Sequence, residues 1–191
     1  MVDPHIVSVN VGHIGIIRPD MPDLRSGIVK RPVGGRILVT ITGVQGDAQA
    51  DPTMHGGPTK AVYLYPIEHK VFWETALQSH DLSPSLVGEN LTIAGLLESD
   101  IQIGDRLRMG EVDLIVTMPR QPCYKLAAMM RNTQAPRYMM RSGFTGFYAS
   151  VAVSGYVEAG AAIEVIGRAA KSVTIAEANR FTLQRHLRLT G

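Results

Sequence analysis

The chain has 191 residues, of which 45% are hydrophobic and 19% are charged, and its formal net charge is +2. This length suits one domain with a sizeable core, and the composition excludes a disordered chain. The sequence contains no apolar run long enough for a membrane span, and its start lacks the basic and apolar regions of a signal peptide. We therefore expect a cytoplasmic protein without a membrane partner.

Strands dominate the predicted elements. Residues 5–17 alternate between apolar and polar side chains and are rich in β-branched ones, which predicts a strand. The prolines and glycines of residues 18–35 predict a long loop. The apolar run 36–44 predicts a buried strand, and Gly110 suits a tight hairpin turn because glycine tolerates a positive φ. The other predicted strands are residues 61–65, 101–106, 107–116, 147–157 and 161–166.

Helices are predicted at four places. Pro66 suits the first position of a helix that should end near Gln78, because its missing N–H needs no partner there. Thr174 and Glu177 have the spacing of a capping box, which predicts the start of a final helix. Two short helices are predicted between these, at residues 125–132 and 136–141.

The order of these elements indicates the fold class. Strands outnumber helices and do not alternate with them, which argues against parallel βαβ units. The sequence therefore predicts a mainly β fold, a barrel with a few helices at its rims.

The last 24 residues form a basic segment. Residues 168–191 carry five basic side chains and one acidic one. We interpret them as the solvated face of a helix, because a nucleic-acid site would need interleaved aromatic side chains and Phe181 alone is a poor stacking platform. No nucleic-acid partner is expected.

The single cysteine, Cys123, lies between a predicted strand and a predicted helix. One cysteine excludes an intrachain disulfide and a cysteine-based zinc cluster. Arg120 and Lys125 place positive charge nearby, which favours the thiolate, the form that attacks electrophiles and binds soft metals. The alternative is a small buried cysteine of the core, and both interpretations remain open at this point.

Two polar, glycine-rich segments are further candidates. His55 and Lys60 flank glycines whose backbone N–H groups could approach an anionic ligand, although a tight turn explains this pattern equally well. The phosphate-binding P-loop order is absent. Asn90, after Gly88 and Glu89, could orient polar groups of a ligand or hold a turn.

Together these segments resemble the MOSC domain family, named for the C-terminal domain of molybdenum cofactor sulfurase, and most closely its stand-alone bacterial YiiM-like group. The resemblance covers roughly residues 5–167. The matching segments are Gly46–Asp51, HGGPTKAVYLYPIEH at 55–69 with Trp73, GEN at 88–90, Gly104-Asp105 and PRQPC at 119–123.

This resemblance implies a MOSC-type mixed β-barrel domain at residues 1–167 and a C-terminal helical extension at 168–191. It implies a pyranopterin molybdenum cofactor whose metal is bonded to Cys123, the expected catalytic residue. The family is also associated with pyridoxal phosphate binding. The residues that match cofactor-binding positions are His55, Lys60, Asn90, Arg120 and Lys125.

The resemblance further implies reduction of small N-hydroxylated compounds, such as N-hydroxylated purines. The chain has no iron–sulfur motif, so an external electron-donor protein is expected. A homodimer is also compatible with the family resemblance. YiiM-like chains usually continue into about three C-terminal helices, whereas one helix follows Ile166 here. The alternatives are a non-enzymatic carrier of cofactor or sulfur that uses Cys123, a metal-free thiol enzyme, and a β-barrel interaction domain with a buried Cys123.

Overall fold

The structure, a computed structural model, describes residues 2–48, 56–82 and 85–190, with side chains described as far as Arg185. Its elements are β1 (His5–Val11), β2 (Gly15–Ile16), β3 (Arg25–Ser26), β4 (Arg31–Val33), β5 (Ile37–Thr40), β6 (Gly43–Val44), β7 (Val62–Pro66), α1 (Lys70–Leu77), β8 (Leu91–Ala94), β9 (Arg106–Met109), β10 (Val112–Pro119), α2 (Tyr124–Met129), α3 (Ala135–Ser142), β11 (Phe147–Val153), β12 (Gly155–Val157), β13 (Ile163–Gly167) and α4 (Ile175–Thr190).

One large mixed sheet organises the chain. Its strand order is β13-β9-β10-β11-β7-β8-β1-β4, and a smaller sheet has the order β12-β5-β6. Neighbours in the large sheet are antiparallel except β7 and β8, which run parallel with Leu64 opposite Leu91. The inward side chains of these strands form the main apolar core, in which Leu64, Leu107 and Leu114 are fully buried.

The mainly β fold with a few helices and a C-terminal helix is confirmed. Within the described ranges, however, the large sheet is not closed into a barrel, because β13 and β4 are its two edges. The sheet does curve back on itself, since an isolated bridge joins His5 of β1 to Ala162 and Ile163 N–H donates to Pro4 O at 2.8 Å.

Four predicted strands are wrong in their bounds. The run 147–157 is divided into β11 of the large sheet and β12 of the smaller one. The run 36–44 is a hairpin of β5 and β6, and Ile41 at its turn is 63% exposed. The strand predicted at 5–17 ends at Val11, because the next N–H, that of Gly12, donates to Asp47 at 2.8 Å instead of to a ladder. Residues 101–105 form a turn in which Gln102 N–H donates to the Asp105 carboxylate at 3.0 Å.

The predicted helices are present with small shifts. Pro66 is the last residue of β7, and a 3-10 turn at Ile67–His69 precedes α1. Helix α1 ends where Gln78 adopts a left-handed φ of 51°. Gly110, with φ of 56°, makes the tight turn between β9 and β10 as predicted. No helix in the described part of the chain combines the length and apolarity needed to cross a membrane.

Helix α4 begins with the predicted capping box. Glu177 N–H donates to Thr174 Oγ1 at 3.1 Å, and Thr174 N–H donates to the Glu177 carboxylate at 2.8 Å. These hydrogen bonds from Thr174 hold the pKa of Glu177 below its ordinary value. The box satisfies two N–H groups that a helix end otherwise leaves without partners.

Thr174→Ala is expected to lower the free energy of unfolding by about 1 kcal/mol, the usual effect of losing an N-cap oxygen. Urea unfolding measures this change, and hydrogen exchange should show faster exchange at Glu177 N–H. Thr174→Ser keeps the oxygen and should behave like the wild type. Equal loss in both variants would contradict the capping explanation.

Candidate functional site

Five of the residues selected from the sequence line one pocket, although they come from distant parts of the chain. Lys60 lies in a 3-10 turn before β7, and Asn90 lies just before β8. Arg120, Cys123 and Lys125 follow the end of β10. His55, the sixth, is outside the described residues. The pocket brings these side chains together, and their binding roles remain predictions.

Arg120 is a buried cation at the pocket wall. It is 5% exposed, and its Nη1 donates to Val87 O at 2.6 Å. Its guanidinium carbon lies 4.9 Å from the centre of the Tyr63 ring. Among the described residues no carboxylate forms an ion pair with it. A buried arginine stays charged, so an anion in this pocket would gain a strong charge-assisted contact.

The two tyrosines beside Arg120 are neutral hydrogen-bonding groups. Burial raises the pKa of Tyr63 far above its ordinary value and also raises the pKa of Tyr148. The Tyr63 hydroxyl donates to Thr145 O at 2.7 Å, which fixes its ring under the guanidinium. Both phenols therefore stay protonated at neutral pH and leave the charge of Arg120 uncancelled.

Asp47 is the centre of the polar network in the pocket floor. One of its oxygens accepts from Gly12 N–H at 2.8 Å and from the Lys30 ammonium, and the other accepts from Asn90 Nδ2 at 2.8 Å. Asn90 also bonds both main-chain polar groups of Tyr63: Asn90 N–H donates to Tyr63 O at 2.9 Å, and Tyr63 N–H donates to Asn90 Oδ1 at 3.2 Å. Asn90 thus joins Asp47 to strand β7, a positioning role in addition to the predicted binding role.

Lys30 belongs to the site, and the sequence analysis missed it. Its side chain is 8% exposed and pairs with Asp47. Burial lowers the pKa of Lys30, and the Asp47 carboxylate opposes that shift. The proline- and glycine-rich context of Lys30 predicts only a loop, and its pairing with a carboxylate 17 positions away carries no local signal.

Cys123 is half-buried and lines the pocket directly before α2. Arg120 and Tyr148 line the same pocket. A cysteine of the core would be sealed from any pocket, so the structure disfavours the inert interpretation. The thiol is positioned to meet a ligand that Arg120 holds.

The pocket is strongly cationic. Within the described ranges four cationic side chains line it, Lys30, Lys60, Arg120 and Lys125, against one carboxylate, Asp47. Concave sites with several convergent polar groups are typical of small-molecule binding. This charge balance favours an anionic ligand, and phosphate is one of the anions that arginine and lysine commonly bind.

Gly88 is the point at which the loop before β4 packs against the turn before β8. It has a φ of +87°, and an added Cβ would lie 2.6 Å from Ile28 Cγ1 and 2.8 Å from Ile28 O. Both residues line the pocket. The close approach therefore shapes one pocket wall.

Gly88→Ala is expected to lower the free energy of unfolding by roughly 2 to 3 kcal/mol, because it combines backbone strain with a collision against main chain. Thermal or urea unfolding measures this loss. Gly34→Ala is the matched control, since an added Cβ at Gly34 meets nothing within 4 Å. A similar stability for both variants would contradict the proposed packing.

Comparison with known proteins gives consistent matches. A family model described as MOSC domain matches residues 51–164. The chain is 40% identical over 186 residues to the uncharacterized protein YflK of Bacillus subtilis (strain 168), covering 97% of this chain and 84% of YflK. It is 38% identical over 155 residues to protein YiiM of Escherichia coli (strain K12), covering 80% and 69% of the two chains.

A solved structure shares the fold. The crystal structure of YiiM from Geobacillus stearothermophilus superposes with a TM-score of 0.79 at 31% identity, covering 95% of this chain and 85% of that one. A fungal protein named reductase, from Gibberella moniliformis (strain M3125 / FGSC 7600), is 28% identical over 170 residues, but the match spans 30% of its length. None of these names refers to pyridoxal phosphate, so that expectation has no support.

Proposed function

The chain belongs to the MOSC domain family, whose functions are related to molybdenum, and we propose that it is an oxidoreductase that binds a pyranopterin molybdenum cofactor and reduces N-hydroxylated compounds. The observation that carries the proposal is the pairing, in one pocket, of the buried cation Arg120 with the chain's single thiol, Cys123. The fungal relative named reductase supports the reaction class.

The pocket residues fit this cofactor. A pyranopterin cofactor carries a phosphate group, and Arg120, Lys60 and Lys125 supply the positive charge that would hold it. Cys123 supplies the soft sulfur ligand that suits molybdenum. With one cysteine in the chain, most ligands of a bound metal would come from the cofactor itself.

When bound, the cofactor supplies two-electron oxidation–reduction chemistry. The side chains of the pocket bind and orient it, and they also hold protons. Reduction of N–OH to N–H consumes two electrons and two protons and releases water. Lys30 Nζ and Tyr148 Oη are protonated groups in the pocket wall that can hold such protons.

Several further features belong to this proposal. The electrons come from an external donor protein, and the substrate is a small N-hydroxylated molecule such as a modified purine. Residues 1–167 form the MOSC domain and 168–191 its helical extension. A cytoplasmic location and a homodimer fit the same scheme.

The test compares protein made in a host that synthesises the cofactor with protein from a host that does not. Molybdenum content and reduction of an N-hydroxylated purine by an artificial electron donor are measured on both. We expect molybdenum and turnover only in the first preparation. Bound molybdenum without turnover would indicate the carrier function, and turnover without molybdenum would indicate a metal-free thiol enzyme.

A further inference from the structure

We infer that Asn179, on the C-terminal helix α4, is a positioning residue for Arg120 and acts through the loop 143–146 and Tyr63. This inference rests on the proposed binding of an anion at Arg120. It gives the C-terminal helix a role in ligand binding, although the helix contributes no residue to the described pocket wall.

Asn179 is hydrogen-bonded to the loop that joins α3 to β11. Its Nδ2 donates to Gly143 O at 3.0 Å and to Thr145 Oγ1 at 2.8 Å. Asn179 is 4% exposed and Thr145 is fully buried, so the hydrogen bond between these two side chains is shielded from solvent. The loop is thereby fixed from the side of the helix.

Tyr63 is hydrogen-bonded to the same loop from the side of the pocket. Its hydroxyl donates to Thr145 O at 2.7 Å, so Thr145 is held by Asn179 through its side chain and by Tyr63 through its carbonyl. The guanidinium carbon of Arg120 lies over the Tyr63 ring, 4.9 Å from the ring centre. Two hydrogen bonds and one cation–π contact therefore connect α4 to the buried cation.

The loop also sets the start of β11. Phe147 and Tyr148 follow it directly, and Tyr148 lines the pocket opposite Tyr63, with ring centres 5.1 Å apart. A shift of Thr145 would move the two phenols that surround Arg120. The loop is thus a common support for both aromatic neighbours of the cation.

The hydrogen bonding of the Asn179 amide is one-sided. Its Oδ1 is buried without a hydrogen-bond partner among the described residues. Such an acceptor usually destabilises a protein, and an apolar side chain would avoid the penalty. Reversing the amide would place Oδ1 against Gly143 O, so the two donated bonds fix its orientation. The contribution of this side chain is therefore the pair of hydrogen bonds that Nδ2 donates to the loop.

The test measures binding of inorganic phosphate to the cofactor-free protein by calorimetry. Asn179→Ala is expected to weaken the affinity about three- to tenfold, because the two hydrogen bonds that it removes act on Arg120 only indirectly, through the loop and Tyr63. Thr182→Ala is the matched control, because Thr182 Oγ1 donates only within α4, to Ala178 O at 3.0 Å. It should leave the phosphate affinity unchanged.

A double-mutant cycle with Tyr63→Phe separates positioning from general destabilisation. If Asn179 acts through the Tyr63 hydroxyl, Asn179→Ala should have little further effect in the Tyr63→Phe background. Full additivity, or an unchanged affinity in Asn179→Ala, would overturn the inference. Should Asn179→Ala fail to fold, Thr145→Val is tested in the same cycle; it removes the Oγ1 that accepts from Asn179, together with the hydrogen bond that this hydroxyl donates to Gly146 O at 2.9 Å.

Arg120→Met identifies which proposal has failed. If this variant loses phosphate binding while Asn179→Ala does not, the positioning role is wrong and the proposed anion site stands. If Arg120→Met binds phosphate like the wild type, the anion site itself is wrong, and the role of Asn179 is overturned with it.

Discussion

Replacing Cys123 with serine is expected to abolish reduction of N-hydroxylated compounds while the protein still folds. Serine is nearly the same size, but its hydroxyl stays protonated and is a hard oxygen donor, whereas molybdenum prefers soft sulfur. Loss of groups that merely orient metal ligands lowers activity or metal affinity 10- to 100-fold, so loss of a ligand should lower activity at least about 100-fold.

The measurement compares wild type and Cys123→Ser made side by side in a host that supplies the cofactor. Thermal unfolding should be nearly unchanged, because Cys123 is half-buried and the substitution leaves no cavity. Molybdenum content should fall less than activity, since the contacts to the phosphate remain. Equal turnover in both proteins would show that Cys123 is not an essential ligand.

Arg120→Met is expected to weaken binding of inorganic phosphate at least about 30-fold, because removing one member of a buried charged contact usually has effects of this size or larger. The unfolding free energy should change little, because removing an unpaired buried charge is offset by losing the hydrogen bond to Val87 O and the contact with the Tyr63 ring. Arg120 is buried without a carboxylate partner in the described ranges, and a buried charge is less favourable than an apolar side chain of similar volume.

Calorimetric titration with phosphate and thermal unfolding are measured on the same preparations. Arg137→Met, which removes an exposed arginine outside the pocket, is the control for the change in net charge. Arg120→Lys should recover part of the affinity, because lysine restores the charge but not the stacking on Tyr63. Strong destabilisation of Arg120→Met together with normal phosphate binding would contradict an anion site.

The fold could be predicted from the sequence where the patterns are local. The β9–β10 hairpin around Gly110 and the capping box of α4 depend on neighbours within three residues, and both are present. Closure of the sheet depends on contacts between distant segments, which local patterns do not report. A barrel was predicted, whereas the described sheet stays open between β13 and β4. The turn at Ile41 was missed because an apolar residue gives no turn signal.

The site was predicted where residue chemistry is distinctive. Cys123, Arg120 and Lys60 stand out by type and spacing, and they share one pocket. Tyr63 and Tyr148 were missed because the alternation of side chains along a strand shows only which face each one points to, and not whether it lines a pocket. The surroundings of His69 could not be predicted: it is buried, stacked on Phe144 and hydrogen-bonded to Glu98 at 2.8 Å. Its partners lie 29 and 75 positions away, beyond any local pattern.

The position of β11 in the large sheet has a consequence for synthesis of the protein. In the described ladders β11 pairs with β10 on one side and with β7 on the other, so it joins the part-sheet of β9, β10 and β13 to the part-sheet of β7, β8, β1 and β4. A nascent chain that has not yet reached Phe147 lacks β11 and also β13, so the edges of β10 and β7 that β11 covers, and the edge of β9 that β13 covers, are unpaired. Unpaired strand edges are templates for aggregation. Strand β11 also carries Tyr148, which lines the pocket. The strand that joins the two part-sheets and the second tyrosine of the site are therefore synthesised together.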